Sequence, residues 1–347
     1  MMPFYRLTSF QILVSVSLFI GLFFTYLSVG AVHIPIIDIL AMFKSYVLGG
    51  SELAAKEYPL ASAIVLHIRL PRACAAILAG GALALAGACT QGLFKNPLAS
   101  PDVLGVSSGS SFGAVIAIVT GFSFMNPMWL PIFTTVGALA ASAFIYVLAS
   151  RHSSSQILFL ILTGLALSSL LGGARMGLLL MAQQYEVSQF VFWAMGGLDG
   201  RMWQHLLWPA PVIIAVSILL LKESRSLNLL ALGEESAHGM GLNIKKTRFK
   251  LLMFATLLTA MSIAIAGPIG FIGLMVPHLV RLLVGPAHEK LLPFSAIFGV
   301  IFLLVCDLLG RWIIAPNELK AGIITSFIGG CYFIGLIIRF QRKGRLA

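Results

Sequence analysis

The chain has 347 residues, of which 59% are apolar and only 10% charged, and its mean hydropathy is +0.98. A soluble chain of this length would form two or three domains, and no such fold hides that much apolar surface, whereas lipid accepts it. The net charge of +11 does not point to nucleic acid, because the basic residues fall between apolar runs and form no single stripe.

A hydrocarbon core of about 30 Å needs about 20 helical residues. On that measure the chain reads as an all-α polytopic membrane protein, with residues 1–347 forming one transmembrane domain of about ten helices. Spans fall near 10–32, 70–94, 103–122, 128–149 and 157–182, then near 204–221, 249–267, 269–285, 291–310 and 321–339. The first is too long for a signal-peptide core and has only Arg6 ahead of it, so it reads as uncleaved. The apolar stretch from 249 to 285 is too long for one crossing, and Gly267-Pro268 divides it into two helices. The cysteines Cys74, Cys89, Cys306 and Cys331 all lie in apolar segments without a C-x-x-C pair and read as small apolar fillers.

Polar stretches at 33–68 and 183–203 lie on one side of the membrane, and 222–248 lies on the other. In the last, Leu227–Leu232 precedes Gly233, Glu234 and Glu235, where acidic residues suit a helix N-terminus. Gly239 and Gly241 punctuate the chain, and Asn243 is placed to cap a helix starting at Ile244. The pattern predicts two short helices on the membrane surface, with an ordinary solvated loop as the alternative. Ten spans put both termini on one side; assigning that side to the cytoplasm leaves 15 of the 23 Lys and Arg inside, as the positive-inside rule requires.

At an offset of 180 residues, Leu83–Gly87 recurs as Ile263–Gly267 and Pro97 as Pro277. The copies run in opposite directions, the mark of an inverted repeat in transporters, although Ala-rich sequence also matches itself by chance. Only Asp307 among the carboxylates lies well inside a span, four residues before Arg311 and so spaced for an intrahelical pair. One carboxylate makes no proton relay, which counts against an ion-coupled secondary carrier. The histidines are scattered without H-E-x-x-H, which counts against a membrane hydrolase, and no phosphate-cradling G-x-x-x-x-G-K-[ST] is present. The chain is expected to be a non-enzymatic transport subunit without a cofactor, driven by a partner.

Three segments then carry a resemblance: Arg69-Leu70-Pro71-Arg72, the run Gln91–Val106 around Lys95-Asn96-Pro97-Leu98, and the run Gly267–Arg281. With Leu229–Glu234 and Glu318–Gly322, these resemble the FecCD-type permeases of ATP-binding-cassette importers for ferric siderophores, haem and vitamin B12 over essentially the whole chain. Two departures touch the outer loop and the last helix: Lys320 stands where the family has proline in E-L-P-[AV]-G, and Cys331 stands where a proline follows the Gly-x pair.

The resemblance implies a vitamin B12 importer permease-like fold in a bacterial or archaeal plasma membrane. It implies two ABC ATPase subunits below, an extracytoplasmic binding protein above, and a second permease copy or paralogue beside this one. It implies an iron chelate as cargo, a ferric siderophore being the commonest case, with haem and cobalamin as alternatives. Residue by residue, it assigns ATPase coupling within 222–248 to Leu229, Leu230, Ala231, Leu232, Gly233, Glu234 and Gly241. Arg69, Arg72 and Arg311 match arginines that dock the binding protein, against the alternative of snorkelling at the boundary. Asn96 and Leu98 match an inner gate, with Ser154 and Ser155 a looser match; a plain turn with Asn96 as a cap is the other reading. Arg175, deep in the fifth span, is expected to face a pathway or to snorkel outward, because burying it in lipid costs a few kcal/mol.

Overall fold

The computed structural model describes residues 4–149, 156–314 and 317–344, with side chains over 13–149, 159–314 and 317–339. Ser154 and Ser155 lie outside the described residues. The chain opens with α1 (Phe4–Ser28), α2 (Ile36–Glu57) and α3 (Pro59–Ile64), which passes through a π-helical turn at Val65–Arg69 into α4 (Leu70–Phe94). A 3-10 turn at Pro101–Leu104 leads to α5 (Val106–Val119), α6 (Phe122–Met125), α7 (Trp129–Ala149), α8 (Gln156–Met181) and α9 (Gln184–Ala194). After a second 3-10 turn at Trp203–His205 come α10 (Pro209–Leu221), α11 (Ser224–Ala231), α12 (Glu234–Gly239), α13 (Ile244–Ala266), α14 (Ile272–Val284), α15 (His288–Ile313) and α16 (Ala321–Gly344).

Among the described residues, six helices are long and apolar enough to cross a membrane, and four shorter apolar helices, Leu13–Ser28, Val106–Val119, Pro209–Leu221 and Ile272–Val284, stand at the remaining expected places. Together they stand in order at the ten expected places, six as full-length spans and four as shorter helices, and the division at Gly267-Pro268 is present. The outer polar stretches, whose secondary structure the sequence left open, are partly helical. Residues 36–57 form α2, broken at Gly49 and Gly50, and 184–194 form α9. The charges in 33–68 hide enough apolar residues to build a helix, which Ser45 ties to Glu57 at 2.5 Å.

The bundle is organised around α4, whose span is 83% buried within the chain. It runs antiparallel to α13, since Cys89 Sγ meets the Leu251 carbonyl at 3.5 Å while Ser262 Oγ meets that of Ala79 at 3.3 Å. Lipid supplies no hydrophobic force between helices, so close backbone approach at small residues carries the packing. A Cβ on Gly87 would lie 1.8 Å from the Gly273 carbonyl oxygen of α14, and one on Gly80 would lie 2.5 Å from that of Gly299 in α15.

The two halves share an order of helix lengths once the four-residue α6 is set aside. The series α4, α5, α7, α8 has 25, 14, 21 and 26 residues, and α13, α14, α15, α16 has 23, 13, 26 and 24, the same long-short-long-long order. The 180-residue register itself is not kept: Pro97 sits in a turn after α4, while Pro277 lies inside α14.

Candidate functional site

At the outer end, α1, α4, α15 and the start of α16 converge on Asp307, which is fully buried. Arg72 grips it bidentately, Nε to Oδ2 at 2.9 Å and Nη2 to Oδ1 at 2.8 Å, and reaches Glu318 with Nη1 at 2.8 Å. The Tyr26 hydroxyl donates to Oδ2 at 2.6 Å. Arg311 Nε lies 3.6 Å from Oδ2, its guanidinium carbon sits 4.0 Å from the Tyr26 ring centroid, and it donates to the Val29 and Tyr26 carbonyls. Arg69 donates to the carbonyls of Leu27 at 2.5 Å, Ser28 at 2.8 Å, and Val32. The three arginines expected at a docking face are therefore largely buried, with several of their donors bonded inside the chain and Arg311 Nε without a hydrogen-bond partner among the described residues. What they shape is a cleft of about 210 Å³ with Gly30, Val32 and Glu318 on its walls.

Beside this cluster the outer loop is held by backbone contacts. Gly197 N donates to the Ala266 carbonyl at 2.8 Å and Gly322 N to that of Gly196 at 3.0 Å. Gly196 has a φ of 64°, and a Cβ there would meet the Pro268 oxygen at 2.2 Å. Lys320, the residue that departs from the family pattern, donates to Asp199 Oδ2 at 2.5 Å. Partial burial pushes Asp199 up, but the hydrogen bond and charge of Lys320 outweigh it and hold the carboxyl below its usual value.

Midway, two interrupted helices border one cavity. α5 and α14 are about 20 Å long at 1.5 Å per residue, and irregular backbone precedes each. The Pro101–Leu104 turn and the 267–271 segment, where Phe271 takes a φ of 68°, line a cavity of about 300 Å³ with Leu83, Thr259 and Leu274. Irregular backbone at membrane depth is tolerated where protein buries it or a cavity is lined by it.

At the inner end, α4 stops on Lys95 in the left-handed region (φ 49°), and Asn96 Oδ1 accepts from Leu98 N at 2.9 Å. The Asn96 side chain closes its own turn and leaves the Leu98 side chain exposed. The 222–248 segment forms the two expected short helices, α11 and α12, and Asn243 Oδ1 caps α13 by accepting from Lys246 N at 3.1 Å. Leu227 and Leu230 are buried, whereas Ala231, Leu232 and Glu234 are exposed and Gly241 turns at φ 83°. Leu229 and Gly233 are partly buried. The elbow is clamped: Asn228 Nδ2 bonds Glu289 at 2.7 Å and its Oδ1 accepts from His288 N at 2.9 Å, Lys250 pairs with Glu223 at 2.6 Å, and Arg248 pairs with Glu234.

Arg175 lies near the outer end of α8, with its guanidinium carbon 5.8 Å from the Phe190 ring centroid and Nε without a protein partner among the described residues. The α8 span is only 11% buried and that of α16 only 22%, against 72% for α13. Sequence reasoning missed Tyr26, Asn228 and His288, because nothing in an apolar run or a short polar helix marks their long-range partners.

A bundle of ten apolar helices around a buried axis, with broken helices at mid-depth and a clamped elbow at one end, defines a multi-pass membrane permease. The FecCD transport family model matches residues 18–339. The chain is 41% identical over 287 residues to the hemin transport system permease protein HmuU of Yersinia pestis, covering 81% of this chain and 85% of that one. It is 39% identical over 278 residues to the Fe(3+) dicitrate transport system permease protein FecD of Escherichia coli K12, covering 80% and 86%. A solved structure described as an inward-facing conformation of a metal-chelate type ABC transporter superposes with a TM-score of 0.82 at 31% identity, covering 94% of this chain and 98% of that one. The chain belongs to the FecCD transport family and is a permease of the ABC importer class.

Proposed function

We propose that the chain, paired with a second copy or a paralogue, encloses the pathway of an iron-chelate importer, with a ferric siderophore as the leading cargo. The relatives' names, which span hemin and Fe(3+) dicitrate, support an iron chelate. Both termini lie in the cytoplasm of a bacterial or archaeal cell. Two ABC-type ATPase subunits seat the exposed side of α11 and α12, and an extracytoplasmic binding protein delivers cargo to the outer face. Asn96 and Leu98 narrow the inner exit. Arg69, Arg72 and Arg311, which line the outer cleft together with Glu318, serve docking of the binding protein.

The observation that carries this reading is the clamped elbow. A short helix pair passes nucleotide-driven closure to the bundle only when one side is fixed to it and the other is free. Leu227 and Leu230 are buried on the fixed side, while Leu232 on the free side is 62% exposed. An ion-coupled carrier is the weaker reading: Asp307, the carboxylate inside a span, is taken up by Arg72 and Tyr26. The test is Leu232→Asp in the transporter co-expressed with its ATPase. ATPase co-purification and ATP-driven uptake of an iron-55 chelate should fall at least tenfold, with normal yield of inserted permease. Normal co-purification of the ATPase would remove the elbow from the coupling role.

A further inference from the structure

Apart from the pathway, the outer end holds a second polar cavity, of about 170 Å³, between α6, α7, α9 and the 195–205 loop. Its polar lining is Ser123, Gln189, Arg201 and His205, closed by Pro127, Leu130, Pro131, Trp193 and Ala264, with no acidic residue among them. Arg201 Nε is enclosed by protein and finds no hydrogen-bond partner, and its guanidinium has no carboxylate within ion-pair distance among the described residues. The nearby Asp199 is taken by Lys320 at 2.5 Å.

The other lining groups are oriented as donors. His205 Nδ1 accepts from Met202 N at 3.1 Å, which leaves the proton on Nε2. Ser123 Oγ donates to Gln189 Oε1 at 3.4 Å, which leaves the Gln189 amide N–H groups unspent. A half-buried cation with an enclosed, unpartnered N–H is costly, and an anion with charge-assisted hydrogen bonds relieves that cost.

We propose that this cavity is a binding site for a small inorganic monoanion of halide size, held by Arg201 with Gln189 and His205. The volume admits such an ion with one or two waters, a water's share being about 30 Å³. The loop it would anchor is the one that joins Gly197 to Ala266 and Gly196 to Gly322. Occupancy therefore stabilises the outer surface without touching cargo. The inference stands independently of the coupling reading above.

The test uses the full-length chain in detergent at fixed ionic strength, exchanging gluconate for chloride or bromide. Thermal unfolding should shift upward saturably by about 2–4 °C, the scale of a ligand present well above its Kd. Arg201→Gln should abolish the shift and Arg201→Lys should retain part of it. An equal response to gluconate and chloride, or a full shift in Arg201→Gln, overturns the proposal. If Arg201→Gln does not fold, crystals of the unaltered protein grown in bromide decide: an anomalous peak within about 3.5 Å of Arg201 supports the site. A cavity holding water alone in bromide overturns it.

Discussion

Asp307 is the residue on which the outer architecture turns. Its carboxylate takes two bonds from Arg72 and one from Tyr26, and neutralising it leaves Arg72 with the half-exposed Glu318 alone and Arg311 without its carboxylate. Asp307→Asn should therefore cost about 3–5 kcal/mol, read as a lowered unfolding midpoint in detergent; a midpoint within a degree of the unaltered protein would show that the cluster is decorative. The pair of Lys320 and Asp199 is more exposed and worth at most about 1 kcal/mol. Because Lys320 depresses the Asp199 pKa, its contribution is present above the unfolded carboxylate value near 4 and is lost as pH falls through the lower folded value. The stability gap between wild type and Lys320→Met should thus be constant from pH 7 to about 5 and close on further acidification. A gap that persists undiminished at pH 2.5 would contradict the sign.

At the scale of elements, the α4–α14 crossing depends on the absence of a side chain. With the Gly273 oxygen 1.8 Å from where a Cβ on Gly87 would sit, Gly87→Leu forces the helices apart. Monodisperse protein on size exclusion should be lost, whereas Gly177→Ala, with nothing within 4 Å of its Cβ, should behave as wild type. Recovery of Gly87→Leu at normal yield would refute the close approach. These crossings also mark what was legible in the sequence. Helix number, the break at Gly267-Pro268 and the Asn243 cap follow from length, punctuation and side-chain chemistry. The fate of Arg69, Arg72 and Arg311 does not, because whether an arginine at a boundary faces out or in depends on carbonyls and a carboxylate supplied by α1 and α15. The helical α2 was not assigned for a related reason: it lies in a polar stretch, while its buried residues Ile39 and Met42 turn toward neighbours that hydropathy cannot see.

Taken as a whole, the molecule buries α4 and α13 and leaves α8 and α16 bare. Apolar faces that the chain does not cover meet lipid or another apolar surface, and Arg175 sits on one of them. If α8 lines a pathway at a junction with a second copy, the guanidinium offers a planar fork to anionic oxygens of the cargo. Uptake in proteoliposomes should then fall in the order wild type, Arg175→Lys, Arg175→Met, with basal ATP hydrolysis unchanged. Equal transport by the Met variant would leave Arg175 as a snorkelling residue only.

The Asp307 cluster also sets a timetable for biogenesis. Arg72 is made 235 residues before the carboxylate that neutralises it, and Tyr26 281 residues before. At about 5–20 residues per second, the ribosome needs roughly ten to fifty seconds to deliver Asp307 after Arg72. During that interval the guanidinium has only water, lipid headgroups or the insertion machinery for company, and α4 cannot settle at its final depth. The cluster is complete only once α15 has been made, and until then the nascent chain carries Arg72 without the carboxylate it grips in the finished fold.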